Sequence, residues 1–167
     1  MEQRLWRICE KLRGGVEVHQ YKNVVLPLIF LRYADTIFEK RLAEIATMKH
    51  FDGELLPEFF NDFATKNSGI FLPNEARWEY LLRAATSEVS NLSAKIDRAL
   101  KLITETNPKL SDIFAKNFYT SQKLDRARLS KLILEIDKLD FSKDKSADFF
   151  GHVYEYLLLK FSAKESR

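Results

Sequence analysis

From Tyr21 onward the apolar positions of the chain fall three and four residues apart. Tyr21, Val24, Leu28, Leu31, Asp35, Phe38, Leu42 and Ile45 trace one seam, broken once by a carboxylate. Val25, Ile29, Tyr33 and Ile37 fill a second face, so the first half of this helix should be buried nearly all round. Pro27 has no N–H to donate to Asn23, so the helix either starts near it or is disturbed there. The pattern predicts a helix over residues 19–47 that serves as the spine of the chain.

A shorter stripe, Leu5, Ile8, Cys9 and Leu12, precedes it and stops at Gly14-Gly15. Residues 48–73 are the least regular, punctuated by Gly53, Pro57, Gly69 and Pro73 around several phenylalanines. They predict a short helix near 55–65 and an extended piece near 69–72. Asn74 or Pro73 should start a helix over Glu75 to Thr86, with Trp78, Leu81 and Leu82 facing inward. Ser90 or Asn91 caps the next, whose inner side is Leu92, Ile96, Ala99, Leu100 and Ile103, and Asn107-Pro108 ends it. Asp125 is a candidate cap for Leu129, Leu132, Ile133 and Ile136. Phe149, Val153, Tyr154, Leu157, Leu158 and Phe161 make a last amphipathic helix. The fold class is all-α, an irregular bundle of about seven to nine helices in a single domain over residues 1–167.

Composition agrees. Gly 5 and Pro 4 in 167 residues are too few turn-formers for a β-sandwich or a many-turned barrel, and 46% apolar with 31% charged residues excludes disorder. Leucine outnumbers valine plus isoleucine, 23 to 16, which favours helix over strand. The longest apolar run, Val24 to Leu31, spans about 12 Å as helix, well short of a ~30 Å bilayer core. No membrane association is expected, and the single Cys9 fits a reducing compartment, so the cytoplasm is the expected location.

Net charge is only +3, but it is uneven: residues 51–90 carry three basic and seven acidic side chains between two basic flanks. Such a distribution would suit contacts with both nucleic acid and a protein partner, although a solvated mixed surface explains it more simply.

Catalytic constellations are not found by motif. The chain has no GxGxxG, GxxxxGK[ST], HExxH or GxSxG string, and His19, His50 and His152 lack a histidine or cysteine partner one helical turn away. Catalytic, cofactor-binding and metal residues are therefore each assigned as none. Asp35 is expected to pair with a neighbouring cation, Arg32 being close in sequence, and Cys9 to be a small core residue. Residues alone describe a helical interaction module.

Longer strings carry more. LWRICEKLRGG, EVHQYKNVVLPLIFLRYADTIFEKR, FLPNEARWEYL, KIDRALKLITETNPKL and FFGHVYEYLLLKFS follow one another from Leu5 to Ser162. In this order and spacing they resemble the N-terminal helical domain of the DNA-methyltransferase (modification) subunit of type I restriction-modification systems.

That resemblance implies a helical clamp preceding a Rossmann-like domain that binds S-adenosylmethionine and methylates adenine at N6. It implies as partners double-stranded DNA, a specificity subunit, a second modification subunit and a restriction subunit. The family's catalytic Asn-Pro-Pro-aromatic motif has no match here, because Asn107-Pro108-Lys109-Leu110 lacks the second proline and the aromatic residue. The cofactor is therefore expected outside this chain, which reads as part of a longer subunit, and an apolar patch at Tyr154, Leu157, Leu158 and Phe161 is expected where the missing part would meet it.

A supporting domain of this kind would grip phosphates with Lys and Arg. The candidates are Arg13, Lys22, Arg32, Lys40 and Arg41 in the first half, and Lys123, Arg126, Arg128 and Lys131 in the second. Singly, each is more commonly solvated or paired within the chain, so only the group points to DNA. Trp6, Trp78 and Phe118-Tyr119 have the chemistry to stack on bases, with core packing the stronger expectation for both tryptophans. Two alternatives remain open: a purely protein–protein module with no direct DNA contact, and a standalone helical regulator.

Overall fold

The computed structural model describes residues 18–46, 70–88, 90–139 and His152. The expected helices near 5–12, 55–65 and 149–161 lie outside these residues, apart from His152, which is helical and exposed. Among the described residues there are five α-helices, two short 3-10 turns and no strand.

Helix α1, Val18–Ala46, is 29 residues long, about 44 Å, and lies within one residue of its predicted limits. It contains Pro27 in its interior. A proline there costs about 3 kcal/mol. Leu28, Ile29, Phe30 and Leu31 follow it and are all buried, each worth about 1.5–3 kcal/mol, so packing outweighs the missing bond. Val24, Val25, Ala34 and Phe38 are buried as well, while Glu39, Lys40 and Ala43 are exposed. The buried stretch of α1 thus runs from Val24 to Phe38, and the helix emerges from the core after it.

Ile70–Pro73 has no regular secondary structure and is held by a side chain that bonds it as a neighbouring strand would. Asn107 Oδ1 accepts from the Phe71 N–H at 2.9 Å, and its Nδ2 donates to the Phe71 and Ile103 carbonyls, both at 2.9 Å. Asn107 is 5% exposed, so these bonds discharge almost its whole polar inventory.

The helix expected over Glu75 to Thr86 is two pieces. A 3-10 turn covers Asn74–Ala76, Arg77 is extended (φ −70°, ψ 143°), and α2 runs from Trp78 to Thr86. Helix α3, Leu92–Thr106, is capped by Asn91, whose Oδ1 accepts from the Ala94 N–H at 3.1 Å. Ser90 instead donates back to the Ala84 carbonyl near the end of α2. After a 3-10 turn at Pro108–Leu110 come the four-residue α4, Phe118–Ser121, and α5, Arg126–Asp137. Asp125 occupies the N-cap position of α5 but makes no capping bond; its carboxylate lies 3.8 Å from the Arg128 guanidinium. Helix α5 packs on α2 and α1, and α3 packs on the first 3-10 turn, α2 and α4.

So short a helix as α4 cannot hold itself. Asp97 of α3 does so: its carboxylate accepts from the Tyr119 N–H (3.0 Å), the Thr120 N–H (2.9 Å) and the Thr120 hydroxyl (2.8 Å). The Tyr119 ring is fully buried and its hydroxyl donates to the Val24 carbonyl of α1 at 2.6 Å. Burial, reinforced by the Asp97 charge, pushes the Tyr119 phenol well above the ordinary tyrosine value.

The native state therefore keeps this proton where the unfolded chain releases it near pH 10. Stability contributed by Tyr119 is present below pH 10 and is lost as pH rises toward the native value, with a slope of up to about 1.4 kcal/mol per pH unit. Urea unfolding from pH 9 to 12 should show that decline, shallower by one proton in Tyr119→Phe.

Candidate functional site

Among the described residues, a group of charged and aromatic side chains joins α1, α2 and α5. Asp35, in the seam of α1 and 3% exposed, accepts from Arg77 Nε at 2.6 Å and from the Trp78 N–H at 3.0 Å. It thereby caps the N-terminus of α2 from a different helix, answering both an orphan donor and the helix dipole. Arg77 reaches Glu39, one turn along α1, with Nη2 at 3.1 Å, and its guanidinium lies 4.7 Å over the Phe38 ring.

Arg77 takes an extended conformation at this point because that geometry aims both its side chain and the next N–H at Asp35. The expected Asp35–Arg32 pairing is thus corrected: the partner is Arg77, which sequence separation concealed. Arg32 sits 5.7 Å from the Trp78 ring centre, and the Trp78 indole Nε1 donates to Asp137 at the end of α5 at 3.0 Å.

Among the described residues, the proposed phosphate-binding residues fall on α1 and around the start of α5. Arg13 lies outside the described residues, and Lys22 lies in α1 with its side chain outside them. Arg32 is half-buried beside Trp78, Arg41 is bonded to Glu44 at 2.9 Å, and Lys40 is exposed nearby on α1.

The other four sit around the start of α5. Arg126 is half-buried, its Nε donating to the Ser90 carbonyl at 3.1 Å. Ser90 and Ser130 donate to the Ala84 and Ala85 carbonyls and so close the C-terminal end of α2, to which Arg126 is linked through Ser90. Lys123, Arg128 and Lys131 are exposed, and Lys123 has a left-handed backbone (φ 50°).

Helices α2 and α5 run antiparallel, since Trp78 meets Asp137 at one end and Ala85 meets Ser130 at the other. The basic start of α5 is therefore about 16 Å along its axis from the Arg32–Trp78–Asp137 group.

Other expectations resolve plainly. Trp78 is core, as expected, at 2% exposure, and buried Tyr119 cannot stack on a base, whereas Phe118 is half-buried with its ring edge against Tyr119. Trp6, Cys9 and the Tyr154–Phe161 patch lie outside the described residues. Among the described residues Leu134 is the one exposed large hydrophobic side chain.

A cavity of about 400 Å³ opens between α3 and the 111–117 loop, lined by Lys101, Thr104, Glu105, Asp112 and Lys116 around Phe114. The buried carboxylate at its edge, Asp97, is fully committed to α4. Both of its oxygens are thus used within the fold. No helix among the described residues is long and apolar enough to cross a membrane.

The residues that sequence reasoning missed are Arg77, Asp97 and Asn107. Asp97 carried a signal: like Asp35, it is a carboxylate set within an otherwise apolar helix face.

The chain is 36% identical over 178 aligned residues to the type I restriction enzyme MjaIX methylase subunit of Methanocaldococcus jannaschii, covering 99% of this chain and 31% of that protein. It thus spans about a third of the length of this curated relative. Residues 1–136, which contain the Asp35–Arg77 tie, α3 with Asp97 and Asn107, and the basic start of α5, match the family model of the HsdM N-terminal domain. A match over most of the chain, in a helical fold built on the strings first noted in the sequence, places this protein in the HsdM N-terminal domain family.

Proposed function

We propose that these residues act as the helical support of a type I modification subunit, steadying a DNA duplex through the exposed basic start of α5 and meeting other subunits through adjoining faces. On this reading the chain does no chemistry of its own. S-adenosylmethionine binding and methyl transfer to adenine N6 belong to parts of such a subunit outside these 167 residues. The specificity subunit, a second modification subunit and the restriction subunit are the protein partners, in the cytoplasm. The observation that carries the DNA contact is the set Lys123, Arg128 and Lys131, exposed together on an element that Ser130, Arg126 and Leu129 tie to the core. A target base must be flipped out for methylation, so backbone grip beside it has a physical purpose.

Three phosphate contacts predict a slope of about −2.7 in log affinity against log salt, or roughly a 40-fold loss between 50 and 200 mM. Anisotropy titration of a labelled duplex with this chain should show weak low-salt binding with such a slope. The triple variant Lys123→Glu, Arg128→Glu, Lys131→Glu should abolish it. Binding that the triple variant retains, or no binding even at low salt, supports the second reading, a protein–protein module without DNA contact. That reading draws on the exposed Leu134 in the same helix.

A further inference from the structure

Helix α1 has a weak rung and an external brace at the same turn. Pro27 leaves the Asn23 carbonyl without its in-helix donor, and Asn23 is exposed. One residue on, the Val24 carbonyl receives the Tyr119 hydroxyl at 2.6 Å. After Pro27 the helix is held by many contacts, since Leu28 to Leu31, Ala34 and Phe38 are buried and Asp35 is tied to α2. Before it, among the described side chains, Val24 and Val25 are buried, Leu26 packs half-buried against the core, and the polar tie is the one from Tyr119. Tyr119 is itself fixed from α3 by Asp97.

We propose that Pro27 is a hinge in α1 and that the Tyr119 hydroxyl is the pin that sets the amino-terminal arm, residues 18–26, against the body of the fold. The arm opens as a unit when the pin is withdrawn, while residues 28–38 stay packed. Sharp bends and local openings concentrate where a helix lacks a rung and few contacts compensate. This inference does not rest on DNA binding, so its failure and the failure of that reading are separable.

Native-state hydrogen exchange across a range of low urea concentrations tests it. In the unmodified chain the amides of the arm and of residues 28–38 should both be protected, with protection falling as urea rises. In Tyr119→Phe the arm should exchange about 5- to 10-fold faster, the worth of one lost hydrogen bond, and its rates should become flat in urea, the mark of a local opening. Residues 28–38 should keep their urea dependence. Restoring the rung with Pro27→Ala in the Tyr119→Phe background should return the arm toward its original protection. The hinge is overturned if both segments speed up equally with the same urea dependence, or if Pro27→Ala leaves the arm's exchange in Tyr119→Phe unchanged.

Discussion

Asp35→Ala is expected to lower the free energy of unfolding by about 3–5 kcal/mol, the range for removing one partner of a buried ion pair. The substitution strips Arg77, 23% exposed, of its closest counter-charge and leaves the Trp78 N–H at the start of α2 without an acceptor. Glu39 pairs with the same guanidinium at 3.1 Å, but its side chain is 64% exposed, so Glu39→Ala should cost within about 1 kcal/mol. The contrast separates two carboxylates one helical turn apart that share a partner. Asp35→Asn should fall between them, because an amide oxygen can still accept from the Trp78 N–H while the charge is lost. Urea unfolding followed by circular dichroism measures all three. Equal midpoints for Asp35→Ala and Glu39→Ala would show that the junction contributes no more than a surface pair.

This junction shows where sequence reading reaches its limit. The seam of α1 was legible because a buried helix imposes a three–four spacing on its apolar residues, and the observed limits differ from the expected ones by a single residue. Asp35 was legible as an anomaly in that seam. Its partner was not, because Arg77 is 42 residues away and becomes a neighbour only through the packing of α2 on α1. The same packing broke the helix expected from Glu75: the local residues permit a continuous helix, but a buried carboxylate rewards an N-terminus placed at Trp78. Tertiary contact overrode propensity by satisfying donors that a continuous helix would have used internally.

The polar ties of the small elements follow the same logic. Asn107 was read as a helix end, which it is, yet its amide also spans to Phe71 and substitutes for a strand partner. Nothing local marks that, since any asparagine ends helices well. The basic residues were legible as a group and not as a surface. Arg126 is drawn inward by the Ser90 carbonyl between α2 and α3, and Arg41 is engaged by Glu44. Lys123, Arg128 and Lys131 remain at the start of α5 facing solvent. Charge count alone cannot distinguish a cation bonded inside the fold from one that faces solvent; the acceptor geometry does.

Trp78→Ala should be as damaging as the loss of Asp35, at about 3–5 kcal/mol, the usual cost of deleting a buried aromatic ring. The ring is 2% exposed at the meeting of α1, α2 and α5, so its removal opens a cavity in the only place where those three helices are joined by polar as well as apolar contacts among the described residues. Two further interactions go with it: the indole bond to Asp137 and the Arg32 guanidinium against the ring. Trp78→Phe keeps most of the volume and the cation–ring contact while deleting the indole donor, and should cost about 1–2 kcal/mol. If the Asp137 bond accounts for that smaller loss, Asp137→Ala should be nearly neutral in the Trp78→Phe background and destabilising in the unmodified chain, a coupling that a double-mutant cycle reads directly. Additive losses would mean that Trp78 acts by packing alone.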